Sequence, residues 1–163
     1  MTMKDPARMY RESAVRGASP IGLIVILYEE IVRSIRKAKQ AFDAGDIEVR
    51  GKALTHAIEV IGYLQSILNF DKGGDVARNL SDFYNVMRGK LFQTHIGPTH
   101  EDLETMASEF AKLAAAWQQA ERSLAQMNAT ESKTELNGSL RDAPHGAMKL
   151  VGTLEPTFAG MER

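Results

Sequence analysis

The chain has 163 residues, of which 44% are apolar and 25% charged, with a formal net charge of −1 and no cysteine. That length can bury one sizeable core, and the composition is that of an ordinary globular domain. Disulfides, thiolate zinc sites and cysteine nucleophiles are excluded, and the lack of a Lys/Arg block argues against a nucleic-acid surface, which must neutralise many phosphates.

Residues 1–18 read as a polar, irregular segment containing Pro6 and Gly17, with Tyr10 and Val15 as its main apolar features. Ser19-Pro20 then supplies a helix start, a serine cap followed by proline in the first turn. The first helix is expected to run to about Ala44 on a seam of Ile24, Tyr28, Ile31, Ile35, Ala38 and Phe42. Its apolar run from Ile21 to Tyr28 is too short to span a bilayer. Arg8, Arg11 and Arg16 precede that run as in a signal peptide, but Glu29 and Glu30 follow it where a small-x-small cleavage site would stand. It therefore reads as a buried helix start in a cytoplasmic protein. Leu23, Val25, Ile26, Leu27 and Val32 lie off the seam, so this half needs cover all round, and the segment around Tyr10 is close enough to fold back on it.

Gly45 stops the first helix and Asp46 caps the second, which is expected to end near Asn69. This second helix has two apolar seams. One is Leu54, Ala57, Ile61, Leu64 and Leu68; the other is Val49, Ala53, His56, Val60, Tyr63 and Ile67. At ~100° per residue the second seam lies about 100–120° around from the first. Either a neighbouring helix of the chain or a separate apolar chain must cover it.

Phe70 to Asp75 reads as the next break, with Asp75 capping a third helix that runs to about Thr94 and turns Val76, Leu80, Phe83, Met87 and Leu91 inward. Gly97-Pro98 ends it. Thr99 caps a fourth helix, with Asp102 in capping-box position. The fourth seam is Leu103, Met106, Phe110, Leu113, Trp117, Ala120, Leu124 and Met127, ending near Asn128. Residues 129–163 read as a flexible tail in which only Met148 to Phe158 is apolar enough to dock. The glycosylation patterns at Asn128 and Asn137 are taken as chance matches. The fold expected is all-α, an antiparallel up-down-up-down four-helix bundle at 19–128, with an irregular N-terminal segment at 1–18 and a flexible C-terminal tail at 129–163.

Catalytic patterns are missing. There is no nucleophile elbow, phosphate-binding loop or paired-histidine zinc motif. A di-iron bundle needs inward Glu-x-x-His pairs, and the residues three before His56, His95, His100 and His145 are Ala53, Phe92, Gly97 and Asp142. No cofactor or metal is expected. A histidine phosphotransfer bundle would use an exposed helical His, but Glu59 stands three residues after His56 and would repel a phosphoryl group. The residues favour a non-enzymatic interaction protein that uses the apolar excess on the first two helices.

An ordered series of motifs supports this. Tyr10, Val15, Gly17-Ala18-Ser19-Pro20, Leu23, Leu27 and Tyr28 resemble the first helix and lead-in of the FliS family of flagellar secretion chaperones. The similarity continues through Ala41, Gly45 and Asp46, then Leu68, Phe70, Gly73 and Gly74, then Tyr84, Met87 and Leu91, and finally Trp117 and Ala120. It departs at Glu29-Glu30, where the family usually has Asp-Gly or Asn-Gly, at Ser13 in place of a frequent Asn, and ahead of Trp117, where alanine replaces the family's Asp.

The resemblance implies a cytoplasmic four-helix chaperone that binds the disordered C-terminal segment of flagellin, blocks premature filament assembly and presents the cargo to the flagellar export gate. Cargo contact is expected from Val49, Val60, Tyr63 and Ile67 with Leu23 and Leu27, Tyr10 acting as a movable cover. Without cargo the expected state is a monomer or weak homodimer, with the N-terminal segment or the tail occupying the groove. The alternatives are a phosphotransfer-type signalling bundle and a homo-oligomeric helical adaptor.

Overall fold

Helix boundaries follow local capping chemistry along most of the chain. A computed structural model describes residues 15–97 and 100–137, with the backbone alone for His100 and 132–137. Tyr10, Pro98-Thr99 and Met148 to Phe158, on which expectations were placed, lie outside the described residues. Four helices follow one another: α1 (Pro20–Asp43), α2 (Ile47–Ser66), α3 (Phe70–Thr94) and α4 (His100–Asn137). Residues 15–17, expected to be irregular, are helical.

The Ser19 hydroxyl accepts the Gly22 amide at 2.9 Å and opens α1 as expected. At its far end the Asp46 amide reaches the Ala41 carbonyl at 2.8 Å and the Gly45 amide reaches Phe42 at 3.1 Å. This paired closure needs a left-handed residue, which Gly45 provides at φ 70°. Asp46 then caps α2 by accepting the Val49 amide at 2.9 Å. Two turns are thus completed within one short stretch of sequence.

The second connection differs from expectation. The helix ends at Ser66 rather than near Asn69, and Asn69, not Asp75, caps the next helix by accepting the Lys72 amide. The expected break survives as a kink inside α3 at Gly74, whose φ of 50° and ψ of −127° are non-helical and open to glycine at little cost. Asp75 binds the Arg78 guanidinium at 2.8 Å instead of standing alone as a cap.

Antiparallel pairing is fixed by contacts at both ends. Lys39 near the end of α1 meets Glu104 near the start of α4 at 2.8 Å, while Ser19 meets Glu121. Phe42 of α1 lies under the Arg50 guanidinium of α2, and Glu30 faces His56. Gln65 of α2 reaches Asn85 of α3 at 2.9 Å. Consecutive helices therefore alternate in direction, as an up-down-up-down bundle requires.

Helix α1 contributes most to the core: Tyr28, Ile31, Ile35 and Ala38 are fully buried against Leu54, Ala57 and Ile61 of α2 and Leu103 and Phe110 of α4. Helix α1 approaches both α2 and α4 closely, and α2 approaches α3. The fourth side of the bundle is spanned by rings: Phe83 meets Phe110 edge-on at 5.3 Å between centroids, and Tyr28 lies 6.1 Å from Phe110. Edge-to-face rings add stabilisation beyond burial.

The α4 seam leaves the core earlier than expected. Ala120 and Met127 are exposed, yet the helix continues to Asn137 instead of ending near Asn128. Met127 lies beyond the Ser19 contact to Glu121, which marks where α1 begins beside α4, while the polar, helix-favouring sequence prolongs the helix.

One buried polar pair crosses the core. The hydroxyls of Tyr28 on α1 and Tyr84 on α3 are hydrogen-bonded to each other at 2.5 Å. Burial raises the pKa of both hydroxyls above the ordinary tyrosine value. Tyr28→Phe or Tyr84→Phe strands the remaining hydroxyl in the core, and each is expected to cost about 1–3 kcal/mol. Because the folded-state values are raised, their stabilising effect is complete below pH ~10 and is lost as pH rises above it. Urea midpoints measured between pH 8 and 11 should fall less steeply at the alkaline end in either variant.

Candidate partner-binding surface

The second seam of α2 faces α1. The His56 ring sits 3.1 Å from the Glu30 carboxylate, which fixes the register of these antiparallel helices. From that level, moving toward the end of α2 is moving toward the start of α1. Val60, Tyr63 and Ile67 therefore share one edge of the bundle with Leu27 and Leu23. All five are half-buried, and Leu27, Val60 and Ile67 also touch the buried core.

The neighbouring helix thus covers part of the seam: Ala53 is buried and Val60 and Ile67 are anchored on their inner sides. What is left is an apolar strip along the α1–α2 edge. Val49 is half-buried but stands apart from the cluster, three turns before Val60 and about 16 Å away along the helix. Tyr10 lies outside the described residues.

Sequence reading missed a second apolar edge. Val76, expected inward, is 62% exposed, and Val86, on no seam, is 55% exposed. They share α3 with half-buried Leu80 and Phe83, which pack on the core as Leu113 and Trp117 of α4 do. The cause is the ring-filled spacing between α3 and α4. Helices held apart by Phe83 and Phe110 cannot close over shorter valines at the rim. In a square of four helices this edge lies opposite the α1–α2 edge. Phe92 and Ile96 add exposed apolar surface at the far end of α3.

Chemistry is sparse. Among the described residues no group of three His, Asp or Glu side chains could hold a metal ion. His56, the candidate phosphoacceptor, faces the Glu30 carboxylate and has exposed Glu59 one turn on. Both carboxylates disfavour an added phosphoryl group. No helix among the described residues is long and apolar enough to cross a membrane.

A four-helix bundle with apolar surface along two opposite edges defines a class, the helical bundle suited to holding a partner. Comparison with known proteins specifies it further. The family model described as Flagellar protein FliS matches residues 3–124. The chain is 33% identical to the flagellar secretion chaperone FliS of Salmonella typhimurium over 118 residues, 72% of this chain and 87% of that protein. It is 28% identical to the Vibrio cholerae chaperone over 108 residues, 66% of this chain and 79% of the relative. With the Bacillus subtilis chaperone it shares 27% over 120 residues, 74% and 89% of the two chains. The chain belongs to the FliS family, whose members compared here are named as secretion chaperones of the flagellum.

Proposed function

We propose that this chain is a cytoplasmic flagellar export chaperone that holds the disordered C-terminal segment of flagellin, keeps it from assembling and presents it to the export gate. The apolar α1–α2 edge carries this reading: Leu23, Leu27, Val60, Tyr63 and Ile67 follow the one-turn spacing at which a groove receives an amphipathic helix. Ordering a disordered segment costs free energy, so such cargo spreads over a long surface. The edge of Val76, Phe83 and Val86 on the opposite side gives a wrapping segment a second apolar hold. The domain that does this work spans 19–128, and in the free state it is a monomer or weak homodimer.

Passing the purified chain over immobilised flagellin, and over flagellin lacking its C-terminal segment, tests the reading. Retention by the first and not the second is expected. Equal retention by both, or none by either, contradicts it.

A further inference from the structure

A groove between α1 and α4 shares no residue with either apolar edge. Its floor is Val32, Ala111 and Ala114, and its α1 rim carries Arg33, Arg36 and Lys37. Three cations thus stand against one carboxylate in the lining, Glu29. Arg33 is paired with Glu30, whereas Arg36 and Lys37 have no acidic partner among the described residues. Both are exposed.

The lining determines what fits. The α1 side runs from Glu29 to Gln40, about 16 Å, which is three turns of helix. On the α4 side alanines leave room for a third backbone to approach. A ligand that meets an apolar floor and a row of cations one turn apart is a helix with small apolar residues on one stripe and acids on the next. The patch is too small for nucleic acid, which needs many phosphate contacts, and the net charge of −1 offers no wider attraction.

We propose that the α1–α4 groove docks an acidic helix of a partner protein, on a surface separate from the one proposed for cargo. Its position lets both be occupied together. The charged rim sets orientation and association rate, and the alanine floor sets shape.

The test uses the full chain and a fluorescein-labelled Ala/Gln peptide of about 18 residues with Glu at every third or fourth position, a length and pattern that favour helix. Fluorescence anisotropy should show saturable binding that weakens as salt rises. The Arg36→Glu/Lys37→Glu double variant should lower affinity at least about tenfold, since attraction is replaced by repulsion at two exposed pairs. Ala115→Trp, at an exposed position in the lining, should weaken binding by obstruction without changing charge. Circular dichroism of both variants should match the parent. The proposal is overturned if the Glu peptide fails to bind, if a Lys-for-Glu peptide or a proline-broken version binds equally, or if oligothymidylate binds more tightly. Unchanged affinity in either variant also overturns it.

Discussion

Phe110→Ala is expected to lower the unfolding free energy by about 3–5 kcal/mol, read from urea denaturation. Phe110 is fully buried, and its ring contacts Tyr28 of α1 and Phe83 of α3. It thus stands where three helices meet. On the α3–α4 side rings do the packing that backbone proximity does elsewhere, so loss of this ring leaves a void that the valine-lined rim cannot fill. Leu→Ala at a fully buried position such as Leu54, which removes a smaller side chain, should cost less, about 2–4 kcal/mol. A cost for Phe110→Ala below that of Leu54→Ala would show that α3 and α4 are held by something other than the ring cluster.

The second large effect concerns binding. Ile67→Glu should weaken association with the flagellin C-terminal segment about a hundredfold, the scale of an interface hot spot. Ile67 is the C-cap residue of α2 and packs on the core with its inner side, so lost burial and a carboxylate at the negative end of the helix dipole should also lower stability by about 1–3 kcal/mol. Val60→Glu should remove binding as well. It should also destabilise, because Val60 lies mid-helix and touches the core. Val76→Glu on the opposite edge separates a wrapped cargo from a single-groove cargo: a tenfold loss or more is expected of wrapping. If Ile67→Glu binds like the parent while Val76→Glu does not, the cargo edge has been assigned to the wrong side of the bundle.

Parts of the fold determined by neighbouring residues were legible in the sequence. Ser19-Pro20 and Gly45-Asp46 specify their turns through groups within three to five residues, so local chemistry was enough. The start of α3 was less so, because Asn69 and Asp75 are both competent caps; the chain uses Asn69 and takes up the glycine break as a kink at Gly74. Seams gave the inward faces but not their extent. Met127 continues a regular period, yet whether it is covered depends on where α1 begins beside α4, which the Ser19 to Glu121 contact determines. Val76 was misplaced for a similar reason, since the width of the α3–α4 side is set by Phe83 and Phe110 on two different helices. The tyrosine pair could not be read either: Tyr28 and Tyr84 each fit an apolar seam, and their bond exists only through packing.

Five candidate cargo residues gathered on one edge because α1 and α2 are consecutive, short-linked and antiparallel, which a sequence reader can anticipate. Val49 did not join them, since its seam position is right and its height along α2 is wrong. The departure at Glu29-Glu30 gains a physical meaning in the structure. Glu30 engages both Arg33 and His56, so it ties α1 to α2 beside the apolar edge.

The central claim is that the α1–α2 edge receives the flagellin segment, and methyl NMR of the full chain titrated with that segment tests it most directly. The account predicts that methyl resonances of Leu23, Leu27, Val60 and Ile67 shift and saturate together, while those of Ile31 and Leu54 in the core move little. Saturable binding that leaves the four edge residues unshifted, or no binding at all, would contradict it.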